Sequence, residues 1–308
     1  MFFLSSLILI LFSLLGVAFF TLFERKILGY IQFRKGPNKV YFIGMFQPFS
    51  DALKLFSKDF FYLTFGNYFI YMFMPCMGLV ISLLFWFILP FFFNFVSFNY
   101  GLIFFFCCSG LSVFFIMIAG WCSNSFYSML GSMRSVAQSI SYEICFFLIF
   151  LVLVILIESF NLVDFFYFQS MIWFFFFFFP LFFIFFSCIL AETNRSPFDF
   201  SEGESELVSG FNVEYSSFMF SLFFLSEYSS MLFLSLFIVI FFFGGDFWSI
   251  FFYFSVLFFV FCFIWIRGTL PRYRYDKLMY LSWSIYLPLV LTFFFIFIIL
   301  KIYFYFII

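Results

Sequence analysis

The chain has 308 residues, 67% of them hydrophobic, 31% aromatic and only 9% charged, whereas an ordinary soluble domain is about half apolar and about a quarter charged; a soluble fold is excluded. The net charge of -1 leaves no polybasic surface for nucleic acid. With no histidine, imidazole-based haem, copper and zinc sites are removed, and seven cysteines without a C-x-x-C pair support neither an iron-sulfur cluster nor a disulfide framework, so no metal or redox centre is expected here.

The predicted fold is all-α. A span needs about 20 apolar residues to cross a hydrocarbon core of about 30 Å. Apolar runs between polar breaks give about eight: roughly Phe2 to Phe23, Asn67 to Phe93, Gly101 to Trp121, Ser141 to Ile157, Met171 to Leu190, Ser216 to Phe243, Ser249 to Ile266 and Trp283 to Leu300. Together they make one integral membrane domain, 1–308. The first run has no cationic lead, so it reads as a retained span and not as a cleaved signal. The 72 Phe recur in runs such as Phe174 to Phe179 without a helical period, which fits T-rich coding in an organellar genome better than selection for aromatics.

An interfacial segment, about 24–60, follows span one. In "ERKILGYIQFRKGPNKV", Lys26 and Lys35 suit snorkelling anchors. Arg25 and Arg34 offer planar, directional donors that a lysine lacks, and are candidates for guiding a polar headgroup or docking a partner. In "GMFQPFSDALKLFSKD", Phe46, Phe49, Leu53 and Phe56 share one helical face while Asp51, Lys54 and Lys58 occupy another, with Pro48 suited to the first turn. Too short to span, this amphipathic helix is expected to lie in the interface, either as an anchor or as a lid beside an access portal.

Two acids fall inside spans. Glu143 follows Tyr142 in span four, and Glu227 precedes Tyr228 in span six. Counted from Glu214, Glu227 is about 20 Å along a helix, near mid-membrane, at 1.5 Å per residue. An ionisable group at that depth is by default a functional-site candidate facing the bundle interior. The alternative, a carboxylate paired with a cation as helix glue, lacks a Lys or Arg well inside any predicted span.

Between spans five and six, "AETNRSPFDFSEGESELVSGFNVEY" (191–215) gathers Glu192, Asp199, Glu202, Glu204, Glu206 and Glu214 around one cation, Arg195. Crowded carboxylates raise one another's pKa and respond to a nearby charge. Solvated loop charges and helix caps compete with that reading, and Ser201 with Glu204 fits a capping box. After span seven, "RGTLPRYRYDKL" alternates Arg and Tyr, which suits packing on a protein or on a quinone-like ring. Of the 14 Lys and Arg, all but Lys301 fall in or beside the loops after spans one, three, five and seven, placing those loops on the cytoplasm- or matrix-like side.

The stretches "ERKILGYIQFRKGPNKV" with "QPFSDALKLFSKD", "AGWCSNSFYSMLGSMRSVAQSISYE", "AETNRSPFDFSEGESELVSGFNVEY" and "PRYRYDKLM" together resemble the family of respiratory complex I membrane subunits that contains subunit 1 of mitochondrial NADH dehydrogenase and its counterpart in bacterial NADH-quinone oxidoreductase. The resemblance implies a multi-pass protein of the mitochondrial inner membrane that passes ubiquinone into a tunnel between span one, span six and the interfacial helix. It places Arg25, Arg34, Arg274, Phe224 and Tyr228 along that tunnel. It also implies that Glu143, Glu192, Glu202 and Glu227, with Asp199, Glu204 and Glu206 nearby, couple quinone reduction to proton translocation. Partners would be other membrane-arm subunits, the peripheral-arm subunits that complete the quinone site, and lipid. NADH, FMN and iron-sulfur clusters would belong to those partners, with no cofactor bound by this chain. Phe126, Ser284 and Tyr41 depart from the family's usual Lys, Lys and Gly. A stand-alone ion transporter is the rival reading, but such proteins commonly carry internal repeats, and none is evident. A purely structural anchor is a second rival, with no use for Glu227.

Overall fold

The computed structural model describes residues 2–59, 66–90, 98–201 and 203–307. Its helices are α1 (Phe2–Ile31), α2 (Gln47–Phe56), α3 (Tyr68–Trp86), α4 (Gly101–Cys122), α5 (Phe126–Ile157), α6 (Leu162–Phe168), α7 (Phe174–Phe177), α8 (Phe179–Glu192), α9 (Glu204–Leu207), α10 (Ser217–Phe242), α11 (Ile250–Thr269), α12 (Tyr275–Tyr280) and α13 (Leu287–Ile307). Among the described residues seven helices are long and apolar enough to cross a membrane, and α8 is a shorter apolar one. The eight predicted spans therefore correspond to seven long helices and one broken one.

The broken one is span five. Proline lacks an N–H and its ring collides with the preceding turn, so it fits best at a helix start, although α3 carries Pro75 in its interior. Pro180 accordingly sits in the first turn of α8, and Phe178 (φ −115, ψ 35) separates α8 from α7. Other boundaries also differ from expectation: span two, expected to reach Phe93, ends as α3 at Trp86, with 91–97 outside the described residues. Span one is expected to end at Phe23, yet α1 runs to Ile31 and takes Glu24, Arg25 and Lys26 into the helix. Beyond it the chain folds back: Gly29 and Gly36 meet so closely that a Cβ on Gly36 would lie 2.9 Å from Lys26 Cα. Span eight is continued on its N-terminal side by a π-helical turn, Leu281–Tyr286, and α12.

The largest departure is α5, which begins 15 residues before the predicted Ser141. Hydropathy counts its serines as polar, but in a helix a hydroxyl can bond a carbonyl one turn back. Ser132 donates to Met129 O at 2.9 Å, Ser135 to Ser132 O at 2.8 Å and Ser139 to Val136 O at 3.0 Å. Satisfied in this way, small residues let helices approach closely, which is how helices associate in lipid.

α10 is the central helix, packed by α3, α11 and α1, while α5 packs against α4, α8 and α13. A ladder of Phe fills the middle, with ring centroids 4.6 Å apart for Phe105 and Phe237, 4.4 Å for Phe233 and Phe237, and 4.5 Å for Phe150 and Phe241. Ion pairs tie the ends. At one end Arg25 meets Asp51 at 2.6 Å, Arg272 meets Asp199 at 3.0 Å, and Arg134 pairs with Glu206. At the other, Lys301 Nζ lies 2.7 Å from Glu158, which also accepts from Tyr305 at 2.6 Å. These hydrogen bonds, the Lys301 one first, hold the Glu158 carboxyl below its ordinary range.

Candidate functional site

A cavity of about 490 Å³ opens between α1, α2 and α10. Val17, Leu28, Leu55, Phe220, Phe224 and Leu225 give it apolar walls, while Thr21, Glu24, Arg25, Asp51, Tyr228 and Arg267 bring polar atoms to it. α2 reaches this cavity through Pro48, Asp51, Ala52, Leu55 and Phe56. Phe46 caps the helix N-terminus, and Phe46, Phe49, Leu53 and Phe56 remain exposed, as an interface-lying face would be. Asp51, expected beside Lys54 and Lys58, instead turns inward to Arg25.

The polar end is a ring of four side chains from three helices and a loop. Glu24, only 7% exposed in its side chain, accepts from Tyr228 at one oxygen and from Arg267 at the other. Arg195 lies 3.6 Å from the same Glu24 oxygen, and its guanidinium carbon stands 4.5 Å above the centre of the Tyr228 ring. Two guanidiniums thus share one buried carboxylate, and Arg195 adds a cation-π contact. The ring joins α1, α10, α11 and the loop after α8.

A second, small cavity of about 60 Å³ lies on the other side of α10. Glu192 and Glu227 line it, together with hydroxyls from Ser82, Ser109, Ser112, Thr193, Ser226 and Ser230 and the amide of Asn194. At about 10–15 Å³ each, a few waters fit such a space, and its lining offers each of them several partners. The two cavities are linked by sequence neighbours: Tyr228 and Glu227 on α10 face one each, and Arg195 of the ionic ring follows Asn194 of the small cavity. Glu143 stands behind the small cavity, accepting from Ser109 at 3.0 Å.

Sequence matches show the family. The family profile described as NADH dehydrogenase matches residues 4–298. The chain is 57% identical over 298 residues to NADH-ubiquinone oxidoreductase chain 1 of Locusta migratoria, covering 97% of this chain and 95% of the relative. It is 54% identical over 300 residues to that of Anopheles gambiae, covering 97% and 96%, and 48% identical over 289 residues to that of Apis mellifera ligustica, covering 94% of each. The chain belongs to the NADH-ubiquinone oxidoreductase chain 1 family.

In this chain 1 family member the structure brings Arg25, Phe224 and Tyr228 to the large cavity, and Glu192 and Glu227 to the small one, with Glu143 attached through Ser109. Other expected residues lie elsewhere. Arg34 is exposed and donates to Gln32 at 3.0 Å, and Arg274 is exposed beside Asp276 at 2.9 Å. Asp199 and Glu206 are held by Arg272 and Arg134, so both tie the acidic loop to its neighbours. Glu204 opens α9, whose N-cap is Gly203 and not Ser201. Glu202 lies outside the described residues. Because α10 starts at Ser217, Glu227 lies about 15 Å along it at 1.5 Å per residue, less deep than counting from Glu214 suggested. Glu24, Arg195 and Arg267 were missed as site residues. Glu24 and Arg267 signal only as charge at the edge of an apolar run, which snorkelling explains equally well, and Arg195 only as the one cation of 191–215.

Proposed function

We propose that this chain, as a subunit of a proton-pumping NADH-ubiquinone oxidoreductase of the mitochondrial inner membrane, respiratory complex I, admits ubiquinone to the large cavity and relays the charge change of its reduction to buried carboxylates. The observation that carries this reading is the shape of that cavity, with apolar walls running to a buried ionic ring. Apolar walls with a few convergent polar groups are the usual make-up of a small-molecule site. Phe220, Phe224 and Leu225 suit an isoprenoid tail, and the donors of Arg25, Tyr228 and Arg267 suit quinone oxygens. Electrons come from NADH through FMN and iron-sulfur clusters in partner subunits, the peripheral arm completes the reduction site, and exposed Arg34 and Arg274 face those partners.

The ring transmits the event. A negative charge arriving beside Arg267 or Tyr228 competes with Glu24 for the same cations, and Arg195, shared by the ring and the acidic loop, feels the change. Glu192, Glu227 and Glu143, around the small polar cavity, then exchange protons among themselves and with the neighbouring membrane-arm subunit. Replacing Glu227 by Gln is expected to abolish proton pumping and ubiquinone reduction while NADH oxidation by a hydrophilic acceptor continues. Normal pumping in that variant would overturn the coupling role.

A further inference from the structure

Glu143 is not part of the wall of the small cavity, but Ser109 is, and it donates to Glu143 Oε1 at 3.0 Å. Ser109 is 3% exposed, and its hydroxyl also lies 3.0 Å from Phe106 O, one turn back on α4. The hydroxyl can therefore swing between a helix carbonyl and a carboxylate. The next residue is Gly110, where a Cβ would stand only 3.5 Å from Glu143 Oε1. α4 thus presents a hydroxyl and bare backbone to this acid, and among the described residues no lysine or arginine forms an ion pair with it. Ser112, three residues on, continues the hydroxyl lining of the cavity toward Glu192 and Glu227.

We propose that Ser109 is a positioning and proton-relay residue that joins Glu143 to the cavity shared by Glu192 and Glu227. This role rests on the proton-coupling reading given above. In the step, the Ser109 hydroxyl gives its hydrogen to Glu143 Oε1 while its oxygen takes a proton from a water in the cavity. Glu192 or Glu227, protonated beforehand, restores that water. The serine ends unchanged, and one proton has moved from a cavity acid to Glu143.

The test uses the assembled enzyme in sealed membrane vesicles, with Ser109→Ala, Ser109→Cys and Ser109→Thr compared with Glu227→Gln. Ala and Cys are expected to slow ubiquinone-linked proton pumping roughly tenfold, the size of one hydrogen bond to a charged group, and to alter its solvent deuterium isotope effect. NADH oxidation by a hydrophilic acceptor is unchanged in both. Thr, which keeps the hydroxyl, recovers pumping to within about twofold, whereas a mere space-filling role would favour Cys, the closer match in volume. If Ala fails to assemble, the near-isosteric Cys decides alone. Wild-type pumping in Ala and Cys beside an inactive Glu227→Gln would overturn the relay and leave the coupling reading standing. Wild-type pumping in Glu227→Gln itself would remove the coupling reading first.

Discussion

Glu24 is the side chain on which the large cavity turns. Two arginines and a tyrosine converge on a carboxylate that is 7% exposed, and each cation is positioned by a different element. Removing one member of a buried ion pair is far more costly than the pair is stabilising, because the partner charge is left uncompensated. Glu24→Gln keeps the shape and removes the charge, leaving Arg195 and Arg267 facing each other. The expected result is a loss of about 3 kcal/mol of stability, seen as a lower inactivation temperature of the assembled enzyme. Ubiquinone reduction should also fall far more than hydrophilic-acceptor activity measured in the same preparation. Equal loss of both activities would mean that the ring holds the fold and does not serve the cavity. At this scale the sequence was only partly legible. Arg25 could be chosen by residue type and place, and Tyr228 through the family resemblance, but the bond from Tyr228 to Glu24 spans 204 residues and that from Arg267 spans 243. No local pattern encodes a partner at such separations.

Elements were legible where one physical rule decides them. The 3-4-3 spacing of Phe46, Phe49, Leu53 and Phe56 located α2 because amphipathic period is a local property. The start of α5 was not legible, because the burial of Ser128, Ser132, Ser135 and Gln138 depends on which helices they touch. Gln138 donates to Ala191 O and Phe198 O, both at 2.8 Å, and so fixes the loop that carries Arg195. Gln169 does the same for α10. Only 2% exposed, it donates to Ile240 O and Phe241 O, both at 3.0 Å, and accepts from Gly244 N at 2.9 Å, closing the C-terminal end of the central helix. Terminal carbonyls buried in an apolar bundle have no water to turn to. Gln169→Leu should therefore destabilise the assembled enzyme by about 3 kcal/mol or more, from three unpaired backbone groups at roughly 1–3 kcal/mol each. The KM for ubiquinone should change little, since Gln169 touches neither cavity. The thermal inactivation profile and steady-state kinetics of the variant check both expectations.

At the level of the whole molecule, charge placement and contacts argue for the same orientation independently. Lys and Arg counts alone put the connections after spans one, three, five and seven on one side. In the fold those connections are the ones that meet: Arg25 with Asp51, Arg134 with Glu206, Arg195 and Arg267 with Glu24, and Arg272 with Asp199. The opposite end has its own pair, Glu158 with Lys301, from the connection after span four and the C-terminal helix. An ion pair cannot bridge a hydrocarbon core of about 30 Å, so each pair fixes two segments to one face. Both cavities that receive charge, and the exposed Arg34 and Arg274, follow from that placement. Two acids of the stretch 191–215, Asp199 and Glu206, act as counterions of those loops, through Arg272 and Arg134. The arrangement predicts the outcome of single-cysteine labelling with a membrane-impermeant maleimide in sealed inner-membrane preparations of either orientation. Lys39→Cys, in the connection after α1, should react only when the matrix face is outward, and Asn99→Cys, in the connection between α3 and α4, only when it is inward. Both positions are exposed. Reaction of the two from the same side would break the pairing of charge bias with contact pattern, and with it the placement of the ionic ring on the matrix-like face proposed above.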